Sequence, residues 1–379
     1  MNVKLFTPGP LSTSPTVKQT MLVDYGSRDD AFISCIADVR RGMLRVGGMN
    51  QAEWTTVPLQ GSGTSGVEAT VGTLSSRAAA KDTSFLVINS GKYAERMTYI
   101  VKHLGIPLVT FDVAEGKDIN LKDFESFLKG FKGKLSFVGV VHSETSTGMM
   151  NDIIGIAKIV RRVLPSSTCI CIDAMSSFGG VDVDYPKACD VLVTSSNKCI
   201  HGVPGFSLTL IRKSLLKECT SNPRSFTLDL VRQCNGLDST GQFPFTPPVH
   251  AIIAFRQALL EHERGGGVQA RSAQYRQNAK AIVDGMVSRG FKLFLDPNSP
   301  TFGSIIVAFM MPSDPWWNFT TFYSLLRKDD IVIYPGKVST AETFRIGCIG
   351  EITMQDIRSL LVSVDKALLA LNAVPKSKL

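Results

Sequence analysis

Lys198 stands between a short apolar run and a glycine-rich turn, in Ser195-Ser196-Asn197-Lys198-Cys199-Ile200-His201-Gly202-Val203-Pro204-Gly205-Phe206. The run before it, Asp190-Val191-Leu192-Val193-Thr194-Ser195, is rich in β-branched residues, as a strand covered on both faces is. A lysine at the carboxyl end of such a strand is partly dry, which lowers its pKa and frees its amine for Schiff-base chemistry. Upstream, Thr168-Cys169-Ile170-Cys171-Ile172-Asp173 has the same character and ends in a carboxylate. Open α/β sheets bind ligands at these strand ends. An amine that reacts with a carbonyl and an acid that keeps a ring nitrogen protonated are together what pyridoxal phosphate requires of a protein. Taken singly, each has a plainer reading: a solvated lysine after a strand, and an aspartate that caps a helix or makes a turn.

A phosphate needs its own seat. Gln60-Gly61-Ser62-Gly63-Thr64-Ser65-Gly66 precedes a helical pattern, so Ser62, Gly63 and Thr64 offer N–H groups and hydroxyls at the positive end of a helix. The same string fits the glycine fingerprint of a nicotinamide site, which requires a strand before it and an acid closing the next strand. Asp82 has about the right spacing but precedes Phe85-Leu86-Val87-Ile88 instead of closing it. Tyr93, in Ser90-Gly91-Lys92-Tyr93-Ala94-Glu95-Arg96, is placed to stack on a flat cofactor. His142-Ser143-Glu144-Thr145-Ser146-Thr147-Gly148 brings Thr145 to a strand end, where its hydroxyl can bond a phenolic oxygen. Arg345 is the one charge in Phe344-Arg345-Ile346-Gly347-Cys348-Ile349-Gly350 and suits bidentate capture of a carboxylate or phosphonate. Thr246, in Gly241-Gln242-Phe243-Pro244-Phe245-Thr246-Pro247-Pro248, adds a hydroxyl before a proline-started helix, a further phosphate contact. His201, Lys92 and Lys337 are other basic groups able to meet a substrate anion, and the sequence does not choose among them.

The elements that must position these groups alternate apolar strands with helical patterns, the mark of an α/β sheet. Strands are expected at 85–89, 108–113, 135–142, 168–173, 191–195 and 206–211, and helices at 66–80, 94–104, 152–163 and 249–263. Gly265-Gly266-Gly267 is the clearest breaker in the chain and divides a large domain, 1–264, from a smaller α+β domain, 265–379. In the latter a helix is expected near 268–289, strands near 304–309 and 331–334, and a last helix from 353 to about 371.

Composition narrows the function classes. With 379 residues, 44% of them hydrophobic and 20% charged, the chain can bury one large core and one smaller. No apolar run approaches the roughly 20 residues that span a bilayer, and no membrane role is expected. The net charge of +8 comes from scattered lysines and arginines without a nucleic-acid motif, so it fits an anionic cofactor and small anionic substrates. The eight cysteines show neither paired nor zinc-like spacing, so neither a metal site nor a disulfide framework is expected. Cys169 and Cys171 are expected on one face of a strand, packing as small hydrophobes. Ser377-Lys378-Leu379 spells a peroxisomal address, to be used in a eukaryotic host; otherwise a cytoplasmic location is expected.

In order along the chain, from Phe6-Thr7-Pro8-Gly9-Pro10-Leu11 to Arg345, these segments resemble the fold-type I, class V aminotransferases. Asn197-Lys198-Cys199-Ile200, Phe245-Thr246-Pro247-Pro248 and the segment around Arg345 are most similar to the branch that acts on 2-aminoethylphosphonate and pyruvate. Alanine:glyoxylate and serine:pyruvate aminotransferases are the neighbouring branches. The resemblance implies that Lys198 bonds covalently to pyridoxal phosphate, Asp173 pairs with its ring nitrogen and Tyr93 stacks on the ring. Ser62, Gly63, Thr64 and Asn197 would hold the phosphate, Thr145 would touch the phenolic oxygen and Arg345 would bind the acidic group of the substrate. It also implies a homodimer with shared sites, in which Thr246 serves the other subunit. Two positions depart from the family pattern: Phe243 replaces a tyrosine that some members use for phosphate, and Ala94 replaces a common glycine.

Overall fold

The computed structural model describes residues 3–75 and 83–371. Asp82 and Ser377-Lys378-Leu379 therefore lie outside the described residues.

A seven-stranded sheet organises the first two-thirds of the chain, in the order Trp54–Gln60, Phe206–Arg212, Val191–Ser195, Cys169–Asp173, Lys134–Val141, Thr83–Asn89, Leu108–Asp112. Phe206–Arg212 runs antiparallel to both its neighbours; the remaining pairs are parallel. Both faces are covered, which is why these strands read as continuous apolar runs. Alternate residues feed two separate cores: Leu86, Ile88, Ile170, Ile172 and Leu192 enter one, while Phe85, Val87, Cys171, Val191 and Val193 enter the other. Cys169 packs on the same core as Cys171, the shared face expected from their spacing. All eight cysteines are free.

Helices Gly63–Leu74, Lys92–His103 and Ile153–Val163 cover the sheet close to their expected bounds, the first starting three residues earlier and ending at Leu74. The chain breaks at Gly265 and Gly266, between helices Val249–Arg264 and Gly267–Val287. Beyond, Ile306–Met310, Thr343–Gly347 and Tyr334–Pro335 form a three-stranded antiparallel sheet backed by Phe319–Lys328 and Met354–Ala370. Its core, with Phe309, Phe322, Phe344, Ile346 and Leu360, also takes in Phe6 from the far end of the sequence. Lys4–Leu5 pairs in parallel with Ile331–Val332, so the segment from Lys4 to Phe6 is built into this second core.

The nicotinamide reading fails on topology. A strand, Trp54–Gln60, does precede Gly61, but it lies at the sheet edge, beside the antiparallel Phe206–Arg212. The next strand in sequence, Thr83–Asn89, sits at the opposite side of the sheet, so the two do not form the adjacent parallel pair that a dinucleotide fold needs.

Candidate active site

The register of the sheet fixes the centre of the site. Asp173 ends its strand opposite Val141 and Val193, and Lys198 lies in the connection that leaves Val191–Ser195 and returns as Phe206–Arg212. That connection is held by Ser196 N to the Phe206 carbonyl at 3.1 Å, His201 N to the Lys198 carbonyl at 2.7 Å and Ser196 Oγ to the Val203 carbonyl at 2.6 Å. A cleft of about 230 Å³ opens there, lined by Ser62, Gly63, Thr64, Tyr93, Asp173, Asn197 and Lys198 among others. Seven of the expected residues thus converge on one space.

Ser62 caps helix Gly63–Leu74, accepting a 3.2 Å bond from Ser65 N. With its first N–H groups and the Thr64 hydroxyl turned to this end, the helix offers an anion both donors and a positive dipole. Arg96, one helical turn beyond Tyr93, lines the same cleft and donates from Nη1 to Thr64 Oγ1 at 3.1 Å. Its guanidinium carbon also lies 4.9 Å from the centre of the Tyr93 ring. Asn197 Oδ1 accepts from Ser195 Oγ at 2.9 Å, leaving its amide N–H groups to the cleft.

Asp173 is buried, and its Oδ1 accepts from Met175 N at 2.9 Å. Burial pushes its carboxyl up to about 6, with Glu144 adding to the rise and Met175 N–H, Lys198 and Arg96 opposing it. A buried acid of this kind is stabilised as an anion by a protonated ring nitrogen. Lys198 is half-buried, and burial lowers its ammonium below the ordinary lysine value despite the nearby Tyr93, Cys199 and Asp173. Its Nζ donates to the Pro8 carbonyl at 2.9 Å.

Tyr93 lies in the first turn of helix Lys92–His103, whose end is tied down by Glu144. This fully buried carboxylate accepts from Tyr93 N at 3.0 Å, Ala94 N at 3.4 Å, Ser146 N at 3.2 Å and Ser146 Oγ at 2.6 Å. Burial alone would raise the Tyr93 phenol; the charge of Lys337, the hydrogen bond with Thr145 and the charges of Lys198 and Arg345 bring it below its usual value. Arg345, buried at 5% exposure on its strand, donates from Nη1 to the Thr145 carbonyl at 2.8 Å and from Nε to the Pro335 carbonyl at 3.0 Å.

The three undecided basic groups separate cleanly. His201 is buried, with Nε2 at 2.7 Å from the Tyr275 hydroxyl and accepting from Gly350 N at 3.2 Å. Lys92 pairs with Glu95 at 3.0 Å. Lys337 places Nζ 4.4 Å from the centre of the Tyr93 ring. Thr246 is exposed and is not among the residues lining the cleft of its own chain. Sequence reasoning passed over Arg96, Glu144 and the Pro8 carbonyl. For Arg96 the available signal was its position three residues after Tyr93, on the same helical face.

The donor set fits pyridoxal phosphate: a capped helix end with an arginine for the phosphate, a buried acid for the ring nitrogen and an amine of lowered basicity for the carbonyl. Residues 43–358 match the family described as "Aminotransferase class-V". The chain is 40% identical over 366 residues to a 2-aminoethylphosphonate–pyruvate transaminase of Vibrio vulnificus, covering 96% of this chain and 97% of that one. It is 37% identical to the Bacillus cereus protein of the same name, covering 96% and 97%. Among solved structures, ureidoglycine–glyoxylate aminotransferase from Bacillus subtilis aligns with a TM-score of 0.87 at 20% identity, over 99% of this chain and 95% of that chain. Pyridoxamine–pyruvate aminotransferase from Mesorhizobium loti aligns with a TM-score of 0.87 at 23% identity, over 99% and 94%. The fold is therefore the one these enzymes share, and the chain belongs to the class-V aminotransferase family.

Proposed function

We propose that this protein uses pyridoxal phosphate to move the amino group of 2-aminoethylphosphonate to pyruvate, yielding phosphonoacetaldehyde and L-alanine. The observation that carries the reading is the meeting of Lys198, Asp173 and the Ser62-capped helix in one cleft, and Arg345 of the second sheet is bonded to the Thr145 carbonyl. The near-full-length similarity to transaminases named for this substrate pair supports the choice of donor.

The cofactor, when bound, supplies an electron sink next to the amine-bearing carbon. Lys198 would hold it, and its amine, of lowered basicity, is the group placed to move a proton at that carbon. Asp173 would keep the ring nitrogen protonated, Tyr93 would lie against the ring and Thr145 would meet the phenolic oxygen. Ser62, Gly63, Thr64 and Asn197 would hold the phosphate together with Arg96. Arg345 binds the anionic end of either substrate, since phosphonate and carboxylate both present paired oxygens.

The same reading includes a homodimer in which Thr246 completes the phosphate site of the other subunit; its exposure here supports that. Mixing Lys198→Ala and Thr246→Tyr variants after dissociation would restore part of the activity if sites are shared. It also places a domain boundary between residues 264 and 265, to be tested by limited proteolysis. In a eukaryotic host, peroxisomal import through Ser377-Lys378-Leu379 is tested by deleting the tripeptide from a fluorescent fusion.

The decisive assay supplies the purified holoenzyme with pyruvate and, in turn, 2-aminoethylphosphonate, alanine with glyoxylate, or serine. Alanine formed fastest from the phosphonate donor is the expected result. Turnover confined to alanine:glyoxylate or serine:pyruvate pairs overturns the substrate assignment and leaves the cofactor chemistry standing.

A further inference from the structure

We propose that Lys337 is the second cation of the substrate site and distinguishes a phosphonate from a carboxylate. The inference rests on the reading of 2-aminoethylphosphonate as amino donor and names how that donor is told from carboxylate substrates. A phosphonate carries three oxygens and up to two negative charges, whereas a carboxylate carries two oxygens and one charge. Arg345 contributes a single positive charge, and its donors are partly spent. Nε is held by the Pro335 carbonyl at 3.0 Å and Nη1 by the Thr145 carbonyl at 2.8 Å. What remains of the guanidinium neutralises a carboxylate and leaves a doubly charged phosphonate short of one positive charge.

Lys337 lies two residues beyond Pro335, the residue that holds Arg345. Its Nζ is 4.4 Å from the centre of the Tyr93 ring, so both cations bear on the same phenol. The segment that carries it is pinned on both sides. Gly336 N donates to the Thr343 carbonyl at 2.7 Å, and Ser339 donates to Glu115 Oε2 from N at 2.8 Å and from Oγ at 2.7 Å. Lys337 is half-buried and, among the described residues, pairs with no carboxylate. The other basic groups nearby are engaged: Lys92 by Glu95, His201 by Tyr275 and Gly350, and Arg96 by Thr64 at the phosphate end. A cation held in place over the ring of Tyr93, with no acid partner among the described residues and with its charge falling on the same phenol as that of Arg345, answers the charge that Arg345 leaves over.

The test compares wild-type, Lys337→Ala and Lys337→Arg holoenzymes. Loss of one charge-assisted hydrogen bond raises the KM for 2-aminoethylphosphonate about 10- to 100-fold. The KM for pyruvate rises several-fold less, and the arginine variant recovers most of the loss. Equal effects on both substrates, or none, overturn the inference. A second measurement, calorimetric binding of methylphosphonate and acetate to each holoenzyme, does not depend on turnover. If wild type fails to use 2-aminoethylphosphonate but Lys337→Ala still loses methylphosphonate affinity selectively, the donor assignment falls and the role of Lys337 stands. If methylphosphonate affinity is unchanged, Lys337 is no part of the anion site whatever the donor.

Discussion

Lys198 Nζ donates a 2.9 Å hydrogen bond to the carbonyl of Pro8, across 190 positions of sequence. The amine on which the proposed chemistry depends is therefore oriented by the amino-terminal loop as well as by its own hairpin.

Gly9 makes that approach possible. Its φ is +121°, and a Cβ there would lie 2.5 Å from Lys198 Nζ and 2.8 Å from Lys198 Cδ. Gly9→Ala is expected to lose about 1–3 kcal/mol of stability from the backbone conformation and to form the visible cofactor band more slowly. Melting temperature and stopped-flow cofactor loading check both. A variant that melts and loads like wild type would show that the Pro8-Gly9 loop has room to spare.

Asp173 sets a pH dependence in the cofactor-free protein. Its carboxyl is raised by burial to about 6, above the ordinary 3.8 expected when unfolded. Its contribution to stability is thus greatest below about pH 4 and is lost as pH rises through 6, by about 3 kcal/mol in all. Asp173→Asn, which keeps the acceptor for Met175 N, removes this component. Urea melts of the apoproteins between pH 4.5 and 7.5 are expected to converge at the acid end and favour the Asn variant at the alkaline end. The order reverses with cofactor bound, because only the carboxylate pairs with a protonated ring. Parallel apoprotein curves would refute the assignment.

Glu144 serves four donors on two segments. Glu144→Ala strands them and is expected to cost at least about 3 kcal/mol. Glu144→Gln keeps one oxygen acceptor but turns an NH2 group toward N–H donors, with an intermediate loss. Chemical denaturation orders the three proteins, and near-ultraviolet circular dichroism reports whether Tyr93 has moved. A Gln variant as stable as wild type would mean that the shape of the side chain, and not its charge, holds the helix end.

Arg96 is assigned to the phosphate end through its bond to Thr64 and its place in the cleft. Arg96→Leu is expected to weaken pyridoxal phosphate binding about 10- to 100-fold, the loss of one charge-assisted hydrogen bond. Equilibrium dialysis with free cofactor measures this without any substrate. Unchanged affinity would confine Arg96 to supporting Tyr93.

Lys198 and Asp173 were legible because each follows a run of apolar, mostly β-branched residues, and fully covered strands advertise their ends. The strand Trp54–Gln60 was not, since Thr55, Thr56 and Pro58 interrupt its apolar pattern. Proline is tolerated there because the strand lies at the sheet edge, with Phe206–Arg212 on one side alone. Helix Asp30–Val46 carries a regular apolar face of Phe32, Ile36, Val39 and Met43, but Asp29 makes no side-chain cap to announce it. Arg96 and Glu144 escaped for a different reason. Their bonds join separate segments, Arg96 with Thr64 and Glu144 with Tyr93, so the spacing that puts Arg96 on the helical face of Tyr93 does not name its partner, and no spacing marks Glu144.

The seating of Phe6 and the Lys4–Leu5 strand among residues from the far end of the sequence bears on the birth of the enzyme. A ribosome adding about 5–20 residues per second releases Ile331–Val332 on the order of tens of seconds after Lys4–Leu5. Through that interval the nascent chain can lay down much of the large sheet, while the loop whose Pro8 carbonyl restrains the reactive amine is held on its far side alone, by helix Pro15–Gln19 with Val17 in the large core. A chain stopped before Ile331 lacks the strand that pairs with Lys4–Leu5, so the arrangement makes the full seating of that loop conditional on synthesis having passed Val332.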